Sequence, residues 1–358
     1  EDEMKQLSFA DIECITVLDG KTYAIDAENK RYRLKQRLYE LEELLPTFFI
    51  RINKSTLANE KKIQRFAASF SGAVDAVYIA SPNALHMAHC RVCIEAGVHV
   101  LCEKPLTVTS AEADELARLA GERGVICGTV FNNRFLAPVM RARQLIDEGK
   151  LGRILSFEFT YKHNSCIDPD RRVGWKQTAE YGGGTWYDLG PHVLDLCHYL
   201  CGELSFLLGK SQIAYPTHLR ADGTVWKTDA DEAFYVICGA QNGAMGTVTV
   251  SKLTQGANDE LTFMVNGERG SLSFSLMDPN YLNFYDATAV GAPMGGVRGY
   301  TRIECVGRYP SPASGFPAIK APQGWLRGHI GCMQNFLSCV AGGTTCSPSF
   351  ADGAYVQR

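Results

Sequence analysis

The chain has 358 residues, of which 46% are hydrophobic and 21% charged, and this balance excludes a disordered or fibrous protein. A formal net charge of −3 excludes a chain that is basic throughout, and no apolar run approaches the roughly 20 residues that a membrane-spanning helix needs. The length predicts two or three domains. The sequence opens at Glu1 without a methionine and stops at Arg358 inside a predicted helix, which indicates a fragment or an edited sequence.

The thirteen cysteines are scattered, odd in number and mostly set within apolar stretches. Cys90 and Cys93 have C-x-x-C spacing and Cys197 and Cys201 lie one helical turn apart, but no second pair follows at a spacing typical of zinc sites. We therefore expect reduced cysteines that pack as small hydrophobic residues, and no metal site. Reduced cysteines favour a cytoplasmic location.

Residues 1–66 have the pattern of a small β-rich unit. Short strand-like runs are broken at Asp19-Gly20 and at Glu28-Asn29, which predict tight turns between antiparallel strands. A short helical stretch, LYELEELLP, is closed by Pro46, and the aromatic strand and basic loop of FFIRINKSTLAN follow it. Charge is divided unevenly along this unit: residues 1–29 carry 8 acidic and 2 basic residues, whereas residues 30–65 carry 10 basic and 4 acidic ones.

The stretches DIECI, LYELEELLP and FIRINKSTLAN, in this order and spacing, resemble the LytTR DNA-binding domain. The resemblance implies that loop residues read duplex DNA, namely Arg51, Asn53, Lys54 and Ser55. Lys62 and Arg65 would contact phosphates. The alternative is a solvated basic face without a partner. The LytTR-like pattern ends near Phe66, before the family's own end, so we assign residues 1–66 to a partial domain.

From residue 74 onward, strands and helices alternate. VDAVYIA, VHVLCE and VICGTVF are near-continuous apolar runs separated by the helical stretches ALHMAHCRVCIEAG and SAEADELARLAGERG, a pattern that predicts right-handed parallel βα units. We assign residues 74–150 to the last three strands of a nucleotide-binding sheet. Alternation at Phe157 and Phe159, and a hairpin predicted to turn at Asn266-Gly267, indicate a mainly antiparallel open-sheet domain over residues 151–358.

The predicted fold class is therefore α/β plus α+β. The C-terminal half of a Rossmann-type parallel sheet is followed by a mainly antiparallel open sheet and preceded by the small β-rich segment.

Two stretches carry groups suited to catalysis. In CEKPL, Lys104 follows a strand and Pro105 holds it extended, so that its ammonium group can point into the ligand crevice. A lone lysine at a strand end is more often solvated. In GGGTWYDLGPHVLDL, Asp188, His192 and Asp195 recur at spacings of four and three, as on one helix face.

Two further expectations concern this second stretch. Its three glycines permit close approach of the backbone to a neighbouring group. Pro191 fits only an early helical turn, which places Asp188 at the helix cap. The alternative to a catalytic pair is a buried aspartate and histidine that satisfy each other.

The stretches ASPNALH, EKP, FNNRF and GGGTWYDLGPHVLD, in this order, resemble the Gfo/Idh/MocA family of NAD(P)-dependent oxidoreductases, which act mostly on sugars and polyols. The resemblance covers residues 74–358 and implies NAD or NADP as cofactor. It also implies catalytic roles. His192 would take the hydroxyl proton, Asp188 would orient and polarise His192, and Lys104 would stabilise the developing alkoxide. The same three residues, together with His329, would contact the substrate.

The resemblance implies further residues at the nicotinamide half of the cofactor, namely Ser81, Pro82, Asn83, His86, Glu103, Lys104 and Asn132. Trp175 would lie at the rim beside Lys176. However, no G-x-G-x-x-G occurs anywhere in the chain, because the LytTR-like segment stands where the first strands and the glycine turn belong. We therefore expect NAD(P) binding to be weak.

The leading functional prediction is a sugar or polyol dehydrogenase that is impaired in cofactor binding and forms a homo-oligomer through its C-terminal sheet. The first alternative is a DNA-binding transcriptional regulator whose dehydrogenase-like part senses a small molecule. The second alternative is a non-functional chimeric chain, because each module lacks the part nearest the join between residues 66 and 74.

Overall fold

The structure, a computed structural model, describes residues 7–28, 30–46, 49–53, 56–59, 75–168, 174–219, 223–306, 322 and 324–358. The chain divides into two compact units, Glu1–Ala73 and Val74–Arg358. Among the described residues, no helix combines the length and apolar character that crossing a membrane requires. All thirteen cysteines are free thiols, and ten of them are buried.

The unit Glu1–Ala73 is built on an antiparallel sheet with the strand order β3-β2-β1-β5-β4. Its elements are β1 Ile12–Leu18, β2 Lys21–Asp26, β3 Arg31–Leu34, α1 Leu38–Leu44, β4 Phe49–Asn53 and β5 Thr56–Asn59. The predicted turn at Asp19-Gly20 joins β1 to β2, and both residues have positive φ, 48° and 74°. Ile15, Ala24 and Leu57 are buried in a small core against helix α1. This segment is β-rich, as its pattern predicts.

The unit Val74–Arg358 begins with a three-stranded parallel sheet in the order β6-β7-β8. Its elements are β6 Ala76–Ile79, α2 His86–Glu95, β7 His99–Cys102, α3 Ser110–Arg123 and β8 Cys127–Thr129. Helix α3 starts with a capping box between Thr109 and Glu112 and ends at Gly124, which has a φ of 64°. The predicted βα units are confirmed.

An open sheet of eight strands follows, in the order β10-β13-β14-β9-β15-β16-β17-β18. Its strands are β9 Ile154–Lys162, β10 Leu204–Gln212, β13 Ala233–Ala240, β14 Met245–Ser251, β15 Glu260–Gly267, β16 Gly270–Ser275, β17 Tyr281–Asp286 and β18 Tyr300–Glu304. A separate ribbon pairs β11 Thr217–Leu219 with β12 Val225–Lys227. All neighbours in the large sheet are antiparallel except β9 and β14.

One predicted turn was misplaced. Strand β15 runs through Gly267, and Asn266 pairs with Ser271, so the hairpin turns at Glu268-Arg269 instead of Asn266-Gly267. A Cβ at Gly267 would come within 2.3 Å of the backbone oxygen of Leu151. This glycine therefore serves close packing of two backbones.

Two long helices cover one face of the large sheet, α4 Ala137–Asp147 and α5 Thr185–Cys201. Phe159, Leu196 and Val248 are fully buried in the core between them. The last two helices are α6 Trp325–Gly342 and α7 Phe350–Gln357. Helix α7 returns to the parallel sheet, where Phe350 joins the core beneath strands β6 to β8.

Candidate active site

Three loops meet at the carboxyl edge of the parallel sheet. Strand β6 leads to Ser81-Pro82-Asn83, strand β7 leads to Glu103-Lys104-Pro105, and strand β8 leads to the turn that begins at Asn132. Parallel strands place these loops at one edge because their carboxyl ends point the same way. The sequence-predicted residues of the first two loops therefore do lie beside those of the third.

His86 ties the first two loops together. Its side chain is fully buried, Nδ1 lies 2.9 Å from the backbone oxygen of Pro105, and Nε2 lies 2.8 Å from the backbone oxygen of Ser81. Burial lowers its pKa, although these hydrogen bonds oppose the shift. Both ring nitrogens of His86 thus face backbone carbonyl groups, one in each loop, so the side chain joins the two loops. The predicted cofactor contact of His86 stays a prediction.

The side chain of Lys104 points toward helix α5, where its ammonium group contacts Asp188. The Lys104 ammonium donates to the Asp188 backbone oxygen at 2.7 Å and lies 3.2 Å from Asp188 Oδ1. The two predicted catalytic residues thus form a partly buried ion pair. The bond to the backbone carbonyl also fixes Lys104 against the first turns of the helix.

Two further lysines, which the sequence analysis did not assign to catalysis, surround the same carboxylate. Lys252 Nζ lies 2.5 Å from Asp188 Oδ2, and Lys176 Nζ lies 3.4 Å from the same oxygen. Burial alone would raise the pKa of Asp188, but the charges of Lys104, Lys252 and Lys176 outweigh it and hold that pKa well below its ordinary range. Lys252 follows the end of a strand, as Lys104 does, and this position was its only sequence signal of a role in the site.

Helix α5 begins earlier than the sequence predicted. Its first residue is Thr185, so Asp188 lies within the first turn and Pro191 lies in the second. The expectation that Asp188 caps the helix was therefore wrong. Asp231, in a distant loop, fixes the start of helix α5. Its backbone oxygen accepts a 2.9 Å hydrogen bond from the N–H of Thr185, and its carboxylate accepts one of 2.9 Å from the N–H of Trp186. Gly184, with a φ of 115°, leaves room for this carboxylate.

His192 lies one turn after Asp188 and close to the sheet. Its Nδ1 is buried and has no hydrogen-bond partner among the described residues, and its ring lies 5.7 Å from that of Tyr161. Burial, followed by the charge of Lys104, lowers the pKa of His192 well below 6.5, against the opposing charge of Asp188. The imidazole is therefore neutral at pH 7 and able to accept a proton.

A second polar cluster adjoins His192. Tyr161 donates a 2.6 Å hydrogen bond to Asp259 Oδ1, and His163 Nε2 lies 2.9 Å from the same oxygen. Burial raises the pKa of Tyr161, and its bond to Asp259 adds to the shift, so the phenol stays protonated. No sequence pattern indicates this cluster, because Asp259 lies 96 to 98 residues from the other two members along the chain.

The remaining predicted residues have varied surroundings. Glu103 accepts a 2.5 Å hydrogen bond from Tyr78, and Ser81 Oγ lies 3.0 Å from His89 Nδ1. Asn132 is buried, and its Oδ1 has no partner among the described residues. His329 packs against Trp325, and its pKa is lowered by burial, with charge effects from Glu103 and Lys104.

Trp175 lies 37% exposed in the short helical turn before the glycines, beneath the ammonium of Lys176 at 5.6 Å. Asp195, which was predicted to share a helix face with Asp188 and His192, pairs with a residue outside this group. Its carboxylate forms a bidentate pair with Arg134 and is only 1% exposed. Asp195 therefore belongs to a structural ion pair.

Of the predicted DNA-binding residues, Arg51 and Asn53 belong to strand β4. Lys54, Ser55, Lys62 and Arg65 lie outside the described residues. Among the described residues, no group of three or more histidine, cysteine or acidic side chains is placed to hold a metal ion.

Two stretches of the chain match models of one known family. Residues 53–131 match the oxidoreductase family with an NAD-binding Rossmann fold, Gfo/Idh/MocA, and residues 139–273 match a C-terminal domain of the same family. Together the two matches cover more than half of the chain. The chain belongs to the Gfo/Idh/MocA oxidoreductase family.

The N-terminal unit has a second affiliation. Residues 2–81 match the LytTR DNA-binding domain, as the motifs predicted. This match overlaps the Gfo/Idh/MocA match over residues 53–81 and runs past Phe66, where the motif pattern ends. Within the overlap, strand β6 pairs in parallel with β7, so its hydrogen bonds are those of the Gfo/Idh/MocA sheet.

Three Gfo/Idh/MocA relatives were compared. Levoglucosan dehydrogenase of Pseudarthrobacter phenanthrenivorans is 29% identical over 79% of this chain and 75% of its own. D-xylose dehydrogenase of Paenarthrobacter nicotinovorans is 30% identical over 60% of this chain and 59% of its own. The scyllo-inositol 2-dehydrogenase (NADP(+)) of Bacillus subtilis is 35% identical over 36% of each chain. Two of these alignments thus span less than two thirds of the relative.

A solved structure of levoglucosan dehydrogenase in complex with NADH and levoglucosan has a TM-score of 0.74 to this chain. The two are 29% identical over 79% of this chain and 75% of the other. The arrangement of a Rossmann-type sheet before a large open sheet is therefore confirmed. The family cofactor is NAD(P).

The chain carries predicted contacts for one half of such a cofactor. The three loops at the carboxyl edge hold the residues predicted to contact the nicotinamide, among them Pro82, Asn83, Lys104 and Asn132, and the amide oxygen of Asn132 has no partner among the described residues. In Rossmann-type folds a glycine-rich turn before a helix N-terminus binds the diphosphate, and the sequence contains no G-x-G-x-x-G.

Proposed function

We propose that this chain is an oxidoreductase that transfers a hydride between a secondary alcohol of a sugar or polyol and NAD(P). The observation that carries the proposal is the ion pair of Lys104 with Asp188, one helical turn from the neutral, half-buried His192. Relatives named for levoglucosan, D-xylose and scyllo-inositol support this substrate class.

The three residues have complementary tasks in alcohol oxidation. His192 is neutral at pH 7 and accepts the hydroxyl proton. The ammonium of Lys104 stabilises the negative charge that develops on the oxygen, which lowers the cost of proton loss. Asp188 holds Lys104 in place and balances the positive charge that His192 acquires. NAD(P), when bound, supplies the hydride acceptor.

Cofactor binding is proposed to be the weak point of this enzyme. A diphosphate gains most of its contacts from backbone N–H groups of a glycine turn and from a helix N-terminus. The LytTR-like segment occupies that place in the sequence. We therefore expect the chemistry to proceed only at high cofactor concentration.

The test is oxidation of a panel of sugars and polyols by the full chain with NAD⁺ and with NADP⁺, each at several millimolar, followed as reduced nicotinamide absorbance. Turnover of at least one substrate supports the proposal. No turnover with any substrate, from protein that circular dichroism shows to be folded, overturns it and favours a chimeric chain without activity.

Assembly is proposed to use the outer face of the large sheet, within a substrate and oligomerisation domain over residues 151–358. Apolar side chains on this sheet are exposed on several strands, namely Leu155, Phe206, Leu208, Tyr235, Ile237 and Met264. Such a surface is larger than isolated exposed residues and is typical of an interface. Sedimentation should show an oligomer that Leu208→Lys with Ile237→Lys converts to a monomer.

DNA binding is the second candidate function, since residues 2–81 match the LytTR DNA-binding domain. In that case the second unit would sense a small molecule while the first contacts duplex DNA. The free thiols of this chain fit a reducing compartment, and we propose that it works in the cytoplasm.

A further inference from the structure

Lys252 lies beside the proposed catalytic ion pair of Lys104 and Asp188. Its ammonium lies 2.5 Å from Asp188 Oδ2, whereas Lys104 lies 3.2 Å from Oδ1, so the carboxylate is held at both oxygens. Lys252 is only 5% exposed, and its backbone N–H donates to the oxygen of Glu232 at 2.9 Å. Burying an ammonium is costly unless the charge is paired, so Asp188 and Lys252 depend on each other.

Lys252 also lines a cavity of about 10 Å³, a volume that suits a single water. Several polar side chains contribute to its wall, namely His218, Glu232, Thr185 and Asp231. It therefore lies between the active-site lysine and a group of buried polar side chains that the proposed chemistry does not use.

His218 is the unexplained member of this group. It is 4% exposed, and neither of its ring nitrogens has a hydrogen-bond partner among the described residues. Its Nε2 lies 3.9 Å from Glu232 Oε1, too far for a direct hydrogen bond, while Glu232 Oε2 is fixed by the N–H groups of Ala214 and Tyr215. Thr185 Oγ1 is likewise buried, with no partner in the part of the chain that the structure describes. One water bonded to these atoms satisfies several of them at once.

We propose that Lys252 is a positioning residue of the proton-transfer site, and that one ordered water in this cavity joins its ammonium group to the buried His218–Glu232 pair. The inference rests on the proposed dehydrogenase function. An ammonium has three protons. One is donated to Asp188, and a second is available to the water, which donates in turn to a ring nitrogen of His218 or to Glu232 Oε1.

This network acts on catalysis through Asp188. The charged or titratable groups whose contacts or fields reach that carboxylate are Lys104, Lys176, Lys252, His192 and Tyr161. Lys252 is the most deeply buried of the three lysines, and it holds Oδ2 while Lys104 holds Oδ1. The Asp188 carboxylate, whose charge acts on His192, is thereby held in one orientation.

The first experiment does not depend on activity. The Asp188 carboxyl is titrated by ¹³C NMR in the full chain and in Lys252→Met, Lys252→Arg and, as a matched control on the neighbouring strand β9, Lys162→Met. We expect the Asp188 carboxyl to stay ionised down to the pH of acid unfolding in the unaltered chain, in Lys252→Arg and in the control, and to begin to protonate at a higher pH, while the chain is still folded, in Lys252→Met. An Asp188 carboxyl that stays ionised down to the pH of acid unfolding in Lys252→Met as well overturns the proposal.

The second experiment uses turnover. Lys252→Met should lower kcat by about a hundredfold, as a misplaced catalytic group does, with little change in the KM for the sugar and with the acid limb of the pH profile moved to higher pH. Lys252→Arg should recover part of the loss. If every variant and the unaltered chain lack activity, the dehydrogenase proposal fails, while the carboxyl titration still decides the role of Lys252.

The water is tested separately. A long-lived water should give a nuclear Overhauser contact to the ring protons of His218 in the unaltered chain, and His218→Phe should remove the water signal at Thr185. Absence of any water contact at His218 refutes the water link.

Discussion

The side chain of Asn83 donates a 2.8 Å hydrogen bond to the backbone oxygen of Gly182, which follows 99 residues later in the chain. This bond fastens the loop after strand β6 to the glycines that precede helix α5. It therefore helps to set the distance between the loop after strand β6 and Asp188. The surroundings of this bond are crowded, since a Cβ at Gly182 would lie 3.0 Å from Asn83 Cβ and 3.2 Å from Val108 Cγ2.

Gly182→Ala should therefore lower both stability and turnover. Gly182 has a φ of 71°, where a side chain costs about 1 to 2 kcal/mol, and the contact with Asn83 adds to this cost. Gly256→Ala is the matched control, because Gly256 has a φ of 84° but a Cβ added there would meet no described atom within 4 Å. Chemical denaturation should give a larger loss for Gly182→Ala, and only this variant should lose turnover. Equal losses would show that backbone strain alone is responsible.

Removing either proton-transfer group should reduce turnover strongly. Lys104→Met and His192→Ala are each expected to lower kcat by at least about a hundredfold, which is the scale of one acid–base or electrostatic group. Lys210→Met, an exposed lysine on strand β10, is the control and should keep full activity. Turnover that survives in either variant removes that residue from the mechanism.

The pH dependence follows from the lowered pKa of His192. Its base form persists to pH values below 6.5, so the acid limb of kcat/KM should lie below pH 6.5. Between the two pKa values the unfolded chain binds the proton and the folded chain does not, so this residue stabilises the fold above pH 6.5 and that contribution is lost as the pH falls. In Lys104→Met, where one cause of the shift is removed, an NMR titration should find the His192 midpoint at higher pH. A midpoint that stays in place would remove Lys104 as a cause.

NAD(H) should bind only weakly. The missing glycine turn would offer two or three N–H bonds of roughly 1.5 to 3 kcal/mol each, and a helix dipole up to about 2 kcal/mol more. Allowing for water, the loss is about 4 to 6 kcal/mol, or about a thousandfold to ten-thousandfold in Kd. Calorimetry should detect no binding below about 1 mM. Replacement of residues 1–70 by a family-derived strand, glycine turn, helix and strand should restore binding, and the same replacement with valines in the turn should not.

The basic half of the first unit should bind duplex DNA in a salt-dependent way. Residues 30–65 carry 10 basic and 4 acidic residues, and non-specific binding of such a surface has a Kd of about 10⁻⁴ to 10⁻⁶ M. Fluorescence anisotropy should show affinity that falls steeply with salt and weakens in Arg51→Ala with Lys54→Ala. Binding that is indifferent to salt would argue against contact with phosphates.

Much of the fold could be predicted because its signals are local. Strands β6 and β7 are apolar runs followed by Pro82 and Pro105, and helix α3 carries its cap at Thr109 and Glu112 in sequence. The start of helix α5 was misjudged because its cap comes from Asp231, 45 residues after Trp186, and no local pattern reports such a contact.

The residues of the candidate site also fall into those with a local sequence signal and those without one. The sequence motifs and the helical spacing predicted Lys104, Asp188 and His192 as site residues. Lys252 did not, because a lysine at the end of one antiparallel strand among many gives no sign that it faces a carboxylate 64 residues away. The full burial of His86 could not be predicted, because burial is a tertiary property that its position in the motif does not report.

The return of helix α7 to the parallel sheet has a consequence for folding. Phe350 and Ala354 complete the core of strands β6 to β8, and Gln357 exchanges hydrogen bonds with Thr107 across 250 residues of chain. Contacts of such sequence separation form slowly, since a long loop must close first. The parallel sheet of strands β6 to β8 therefore cannot complete its core until helix α7 has docked, so we expect it to form its final packing more slowly than the N-terminal unit, whose strands pair with nearer neighbours in sequence.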